Sequence, residues 1–114
     1  MTDIKLKKNE KDTYLIRLYD EFIWGDYEGQ IDKIMKSSVL LHVTWDLSNL
    51  TYVPWKYIWR QINLMVGYRA VIANHIKKNT IILPNKKWLF AIQYMFTIVP
   101  PVSPTELLIK DEII

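Results

Sequence analysis

Residues 39–59 read VLLHVTWDLSNLTYVPWKYIW, and this stretch carries the clearest structural signal in the chain. Its β-branched and aromatic residues over 39–47 are typical of a strand, and the nearly continuous apolar run indicates a sheet covered on both faces. The turn SNLTYVP follows, and Pro54 suits the first turn of a helix because its fixed φ and missing N–H cost little there. The stretch therefore predicts a strand–turn–helix unit, and in α/β folds functional sites lie at the carboxyl ends of such strands.

Strands and helices alternate on both sides of this unit. Period-two patterns separated by the polar turn NEKD predict an N-terminal hairpin, and Asp26 can start a helix. Residues 102–109 leave two interpretations open, because Ser103 can begin a short helix whereas 107–109 can form an edge strand. The predicted elements are strands over 4–8, 13–19, 39–47 and 80–83, and helices over 26–36, 55–78 and 86–99.

The order of these elements indicates the fold class. Strands that alternate with helices favour parallel pairing, with the helices packed on the sheet. We therefore predict an α/β fold built on a mixed sheet of about four strands. The chain has 114 residues, close to the commonest domain size, and it lacks repeats, linkers and low-complexity segments. It is therefore predicted to form a single domain over 1–114.

Composition excludes several classes of protein. The chain has no cysteine, so it has no disulfide framework, thiolate zinc site or cysteine nucleophile. The polar N-terminus is unlike a secretory signal peptide, and no apolar run reaches the length of about 18 residues that a transmembrane helix needs. We expect a cytoplasmic, intracellular protein, either free or within an assembled particle.

Charges are distributed unevenly along the chain. All twelve acidic residues lie outside 47–105, whereas seven of the fifteen basic residues lie inside this window. A region of one sign attracts phosphate, nucleic acid, an anionic membrane or an acidic protein, and a solvated basic helix face is the simpler alternative. Nucleic-acid binding fits poorly, because arginines are few and the bases are spread over separate elements. The basic residues of the window are Lys56, Arg60, Arg69, Lys77, Lys78, Lys86 and Lys87.

Candidate catalytic and metal-binding residues are few. His42 lies in the middle of a strand, and His75, at a helix end, has no second ligand three or four residues away on that helix, whereas a metal site needs several convergent ligands. His42 and Asp46 are about 13 Å apart on a strand, too far for a relay with Ser48. Glycine-rich phosphate loops and suitably placed pairs of carboxylates are missing. We therefore predict no enzymatic activity, no metal and no cofactor, and we interpret Asp46 as a buried carboxylate that accepts hydrogen bonds from turn amides.

The stretch DLSNLTYV over 46–53 resembles the central signature of the STAS family, the anti-sigma-factor-antagonist-like domains. In that family a hydrophobic strand runs into D-[LF]-S-x-[LV]-x-[FY]-[ILVM]-D-S-S-G and then into a helix. The resemblance implies a STAS-like arrangement of the predicted sheet and helices. The residues that match the pattern in order are Asp46, Leu47, Ser48, Leu50, Tyr52 and Val53.

The chain departs from this signature at its last four positions. Where STAS domains carry D-S-S-G, this chain has Pro54, Trp55, Lys56 and Tyr57. In the family a serine there accepts a phosphate from a partner kinase, at a helix N-terminus that stabilises the added charge. The resemblance therefore implies a STAS-like domain without this phosphorylation switch. The segment ILPNKKWLF over 82–90 also resembles the strand-to-helix turn of CRAL-TRIO domains, which bind lipids and share a related core.

The helices carry more apolar residues than one buried face requires. On the helix predicted over 55–78, Ile58, Trp59, Ile62 and Val66 belong to a core stripe, and a second apolar stripe runs beside it. Surplus apolar surface tends to mark partner contacts, and a pocket or a tightly wrapped core are the rival accounts. We predict a non-catalytic protein-interaction or assembly domain that binds a protein partner or a second copy of itself. The predicted partner-binding residues are Trp55, Lys56, Tyr57, Leu64, Tyr68 and Val71.

Binding of a small ligand is the alternative function. Lys86 and Lys87 form a basic turn that would hold the anionic group of a lipid or a nucleotide, while aromatic residues of the chain would line a pocket. The same basic window also suits an acidic protein partner.

Overall fold

The computed structural model describes residues 5–9, 13–36 and 41–110. These residues form one sheet of five strands whose spatial order follows their order along the chain. The first two strands pair antiparallel, and the following three pairings are parallel. The predicted α/β class, with a mixed sheet and packed helices, is therefore confirmed. The strands are β1 (Lys5–Asn9), β2 (Thr13–Tyr19), β3 (Leu41–Asn49), β4 (Ile76–Leu83) and β5 (Thr105–Ile109). The helices are α1 (Trp24–Met35), α2 (Ile58–Gly67), α3 (Arg69–His75) and α4 (Trp88–Ile98).

The helices cover one face of the sheet. Each parallel pair of neighbouring strands is joined through a helix. Because such crossovers are right-handed, a sheet in chain order places every crossover on the same side. The core lies between these helices and the sheet, where Ile16, Leu41 and Leu83 have no exposed surface. In the described part of the chain the opposite face is largely polar, and it carries an ion pair between Lys78 and Glu106 (2.7 Å).

Strand β3 is covered by helices on one face only, although it was predicted to be covered on both. Buried Leu41 and Val43 face the helices, whereas the intervening His42 is exposed. The expectation of a sheet covered on both faces is therefore wrong. The physical reason is that His42, Thr44 and Asp46 occupy alternate positions of the strand and therefore share one face, which is polar. The apolar residues between and beside them make the sequence look apolar on both faces.

The long helix predicted over 55–78 is divided into three shorter segments. A 3-10 helix spans Trp55–Tyr57, α2 follows it directly, and a break at Tyr68 (φ −102°, ψ 12°) separates α2 from α3. Gly67 precedes the break, and glycine is unfavourable in a helix interior. None of the helices in the described ranges has the length and apolar character needed to cross a membrane.

The predicted end of that helix at Lys77 and Lys78 is also wrong. Both lysines lie in β4, which begins at Ile76 rather than at Thr80. β4 pairs with β3 along most of its length. Tertiary pairing of this kind routinely overrides local helix propensity, and it draws residues 76–79 into the sheet.

The C-terminal segment forms an edge strand. Of the two interpretations of 102–109, the strand is right, since Thr105–Ile109 pairs in parallel with β4. The Asn79 N–H donates to the Pro104 carbonyl oxygen (2.8 Å), which joins the start of β5 to β4. Pro100 follows the end of α4, as the helix-stop pattern predicted.

Candidate functional site

The carboxylate of Asp46 is buried near the carboxyl end of β3. It accepts hydrogen bonds from the Ser48 N–H (3.0 Å), the Ser48 hydroxyl and the Arg17 Nε–H (2.9 Å). Burial raises the pKa of Asp46, but the bonds from Ser48 and Arg17 outweigh it, so the pKa lies below its usual value. The prediction of a buried carboxylate is confirmed, but the N–H from which it accepts, that of Ser48, belongs to the end of β3 rather than to the turn. Arg17 escaped sequence reasoning, because its contact depends on the pairing of β2 with β3.

A tight turn joins β3 to the 3-10 helix. Thr51 donates its N–H (2.9 Å) and its hydroxyl to the Asp20 carboxylate, which fixes the loop after β3 to the loop after β2. Pro54 has φ −77° and ψ 70°. The Trp55 N–H donates to the carbonyl two residues before it (2.8 Å), as in an inverse γ-turn. The Trp55 side chain is 53% exposed and Lys56 is also exposed, so both are accessible at this turn.

Tyr57 is held in a cluster of aromatic rings. Its ring stacks on Trp24 at a centroid distance of 5.4 Å and lies 5.3 Å from the ring of Phe22. The Lys56 Nζ lies 4.9 Å from the centroid of the Tyr57 ring, which is a cation–π contact. Of the predicted partner-binding residues, Tyr57 therefore has a clear role in the fold.

Leu64, Tyr68 and Val71, which were also predicted to bind a partner, pack against the core and are half-buried. Tyr68 donates its hydroxyl to Asp32 Oδ1 on α1 (2.6 Å), and this hydrogen bond raises the pKa of Tyr68. The expectation that these residues form a surplus stripe outside the core is corrected.

The stripe that was predicted to be core is partly exposed instead. Trp59 and Val66 are 56% and 55% exposed, whereas Ile58 and Ile62 are buried. Apolar residues surround most of α2, so periodicity alone does not identify its buried face. The Tyr27 hydroxyl donates to Gln61 Oε1 (2.8 Å), and this bond turns the polar Gln61 toward α1.

An exposed apolar surface, which we call the α2–α4 face, covers the outer side of α2 and α4. Phe90, Tyr94 and Ile98 recur every four residues along α4 and lie on one side of it. Trp59 of α2 meets Tyr94 of α4 with perpendicular rings 6.4 Å apart, which joins the two helices into one surface. The large exposed residues of the α2–α4 face are Trp55, Trp59, Val66, Phe90, Tyr94 and Ile98.

Basic residues lie next to the α2–α4 face along the chain. Lys56 and Arg60 are exposed beside Trp55 and Trp59, and Lys86 and Lys87 are exposed just before α4. No acidic residue occurs between positions 47 and 105. The face therefore combines aromatic anchors with a positive potential.

A cavity of about 170 Å³ lies between the helices and the covered face of the sheet. Most of its lining is apolar. Two buried polar atoms of lining residues have no hydrogen-bond partner, namely the Trp45 Nε1–H and Asn79 Oδ1. Burial raises the pKa of Tyr27, which also lines the cavity, to about 12. Trp45 Nε1 lies near the Tyr27 hydroxyl, but outside hydrogen-bonding geometry.

The structure does not bring the predicted anion-binding residues to this cavity. Lys86 and Lys87 are exposed and are absent from its lining, whereas the neighbouring Trp88 lines it. The predicted combination of lysines with an aromatic pocket is therefore not assembled. The unpartnered atoms of Trp45 and Asn79 were not anticipated, because their burial depends on how the helices pack on β3 and β4.

Neither chemistry nor similarity to other proteins adds a further site. His42 is exposed on β3, and in the described ranges no three His, Asp or Glu residues are grouped so as to hold a metal ion. Comparison of the chain with protein-family models, with curated proteins and with solved structures gives no match.

Proposed function

We propose that this chain is a non-catalytic interaction domain that binds an acidic protein partner through the α2–α4 face. The observation that carries the proposal is the exposure of four aromatic rings on this face, in a part of the sequence that contains basic but no acidic residues. Trp, Tyr and Phe bury large areas at interfaces, and Trp and Tyr are prominent among the residues that dominate binding energy. The proposed setting is the cytoplasm or an assembled particle.

Charge complementarity selects the acidic partner over a second copy of the same face. A symmetric dimer through this face would bring two surfaces with exposed basic residues against each other, and like charges at an interface oppose association. An acidic surface would pair with these cations and would leave the aromatic rings to fill apolar pockets.

The resemblance to STAS domains belongs to this proposal. If the chain is STAS-like, the strand-to-helix turn at residues 54–57 keeps the family's role as a contact site but is not regulated by phosphorylation. Trp55 and Lys56, which replace the family's small residues, form the end of the α2–α4 face nearest the turn. Their exposure supports this reading.

The test is co-purification of the tagged full chain from the cells that naturally produce it, followed by cross-linking. Trp59→Ser and Phe90→Ser alter the face, and Ile23→Ser is the matched control because Ile23 is 57% exposed elsewhere. The expected result is one acidic protein, cross-linked at Lys56 or Lys87, that is retained by the control and lost with both face variants.

Other outcomes would contradict the proposal. If the face variants and the control retain the same amount of the acidic protein, the α2–α4 face is not the contact site. Self-association measured by light scattering and abolished by Trp59→Ser would identify a second copy as the occupant. Binding to anionic vesicles, with no protein captured, would identify a membrane surface.

The alternative function, binding of a lipid or a nucleotide, is less well supported. The cavity volume of about 170 Å³ is below the range of roughly 300–1,000 Å³ that is usual for such ligands. Native mass spectrometry of the purified chain tests it, since a carrier of this kind retains its ligand.

A further inference from the structure

The two edges of the sheet differ in the charge of their strands. β1 and β5 are the outer strands, so each has one side with which no other strand pairs in the described part of the chain. Lysine and proline on an edge strand discourage pairing with another chain. β1 reads KLKKN and has three lysines in five residues, whereas β5 reads TELLI and has neither lysine nor proline. The β5 edge therefore lacks the protection that the β1 edge has.

The outer side of β5 presents backbone groups from alternate residues. The Pro104 carbonyl oxygen accepts from the N–H of Asn79 on β4. Successive residues of a strand direct their N–H and C=O groups to opposite sides, so Glu106 and Leu108 also face β4. Within the described ranges, the groups that point away from β4 have no backbone partner, and they belong to Thr105, Leu107 and Ile109.

We propose that two copies of this chain pair along β5, antiparallel and about a twofold axis, so that their sheets join into one. Such pairing uses the unpaired backbone groups of both edges as hydrogen-bond donors and acceptors. A twofold interface brings the same segment of both copies together, so β5 must complement itself. The β5 edge shares no residue with the α2–α4 face, so this inference goes beyond the proposed function and does not depend on it.

Charge complementarity selects the register of this pairing. Outward-facing residues must oppose each other to exchange hydrogen bonds, so the twofold axis passes through a pair of identical residues. Centred on Glu106, the pairing places two carboxylates opposite each other, and centred on Leu107 it places Glu106 opposite a leucine. Centred on Leu108, it places Glu106 opposite Lys110 of the second copy, and the symmetry repeats this contact at the other end.

In the register centred on Leu108, the side chains on both faces of the joined sheet complement each other. Leu107 packs against the core and meets Ile109 of the second copy, so the covered face stays apolar across the interface. Glu106 and Lys110, the residue that follows β5, are exposed. The pairing adds a second cation to a carboxylate that already binds Lys78 (2.7 Å). Opposite charges directly across two paired strands stabilise a sheet.

A single introduced cysteine tests the register, because the chain has no cysteine of its own. Leu108 lies opposite Leu108 of the second copy in a non-hydrogen-bonded pair, whose Cα atoms are about 4.5 Å apart and within reach of a disulfide. Leu108→Cys should therefore form a covalent dimer under mild oxidation, seen by non-reducing electrophoresis. Leu107→Cys is the matched control and should not, because its two copies lie about 7–8 Å apart on the diagonal.

Reversal of charge tests the contact between Glu106 and Lys110. Sedimentation equilibrium of the full chain measures the dissociation constant of the dimer. Lys110→Glu places like charges opposite each other twice and should raise this constant about tenfold. Adding Glu106→Lys to Lys110→Glu restores opposite charges and should recover most of the lost affinity. Lys87→Glu, at an exposed position before α4, is the control and should leave the constant unchanged.

Three results would overturn the inference. The first is a native chain that stays monomeric up to about millimolar concentration. The second is cross-linking of Leu107→Cys in place of Leu108→Cys, which would show another register. The third is a dimer that Trp59→Ser abolishes and Lys110→Glu does not, which would place the contact on the α2–α4 face.

Folding and function are separated from this contact by two further readouts. Circular dichroism shows whether each variant folds, and if Leu108→Cys does not, the charge-reversal series decides, since Glu106 and Lys110 are exposed. A dimer that persists in Trp59→Ser while the acidic protein is lost would support both proposals. A dimer that persists while no acidic protein is captured by the native chain would contradict the proposed function alone.

Discussion

At the scale of single residues, Asp46 shows how one carboxylate stabilises the strand-to-helix junction. It joins β2 to β3 through Arg17 and fixes the last residues of β3 through the Ser48 N–H. Hydrogen bonds to a charged group contribute about 1.5–3 kcal/mol each when they are well formed, and partial exposure of Arg17 reduces this value here.

Asp46→Asn is expected to lower the free energy of unfolding at pH 7, by about 1.5–3 kcal/mol. Because the pKa of Asp46 is lowered in the folded state, its stabilising effect is complete above the unfolded-state pKa of about 3.9. The effect is lost as the pH falls through the lower folded-state pKa. Urea denaturation at pH 7 and at successive acidic pH values measures the difference between wild type and variant, which should shrink below about pH 4.

Asp26→Asn is the control for this series, since Asp26 is exposed on α1. Its effect at pH 7 should be within about 0.5–1 kcal/mol. A wild-type–variant difference for Asp46→Asn that stays constant down to strongly acidic pH would show that its ionised form does not stabilise the fold.

The pH dependence of stability expected from Tyr27 is opposite to that expected from Asp46. Burial raises its pKa to about 12 in the folded state, whereas an unfolded tyrosine has a pKa of about 10. The unfolded chain therefore loses this proton first, and stability should decrease as the pH rises from about 10 to about 12. Tyr27→Phe should reduce that slope, measured by denaturation at successive alkaline pH values. An identical slope in both proteins would mean that another group controls the alkaline loss.

At the scale of elements, the 3-10 helix presents two residues outward and one inward. Trp55→Ala combined with Lys56→Ala should shift the melting temperature by only a few degrees, because exposed substitutions change stability by about 0.5 kcal/mol each. Tyr57→Ala should cost about 2 kcal/mol or more, since it removes a ring from the cluster with Phe22 and Trp24. Differential scanning calorimetry measures both changes.

The two variants also differ in their expected effect on function. The Trp55–Lys56 double variant should abolish partner binding while the fold persists. If instead this double variant unfolds and Tyr57→Ala does not, the inward and outward assignments of the 3-10 helix are reversed.

The elements differ in how far local patterns predict them. The hairpin, α1, β3 and α4 follow from residue spacing and from turn and stop signals near their ends. The start of β4 at Ile76 does not, because lysines and a preceding helical pattern are compatible with either structure until pairing with β3 decides. The side of α2 that faces the core was not predicted correctly for a related reason. Apolar residues surround this helix, so tertiary contacts rather than residue spacing decide which side is buried.

At the scale of the whole molecule, side-chain sites were predicted less well than the fold. The basic window over 47–105 predicted exposed cations near α2 and α4, and the apolar excess of α4 indicated that part of this helix stays exposed. On α2, the exposed residues of this face, Trp59 and Val66, had been predicted to belong to the buried stripe. The cavity depends on distances between β3, β4 and α1, which no local pattern records.

The basic surroundings of the α2–α4 face predict a salt-dependent affinity. Raising the ionic strength from about 0.15 M to about 1 M shortens the Debye length from about 8 Å to about 3 Å and screens the cations. The association rate with the acidic partner should therefore fall, while the dissociation rate changes less. Surface plasmon resonance at the two salt concentrations measures both rates. A rate of association that does not depend on salt would show that the contact is purely apolar.

The match between strand order and chain order has a consequence for how the protein folds. No strand has to insert between two that are already paired, because each new strand adds beside the one before it. Contacts in the sheet are therefore mainly between neighbouring segments, and such topologies fold faster than those that depend on distant pairings. On a ribosome, where chains emerge from the N-terminus and domains fold as they appear, this sheet can grow one strand at a time. The last strand, β5, completes it only when residues 105–109 are released.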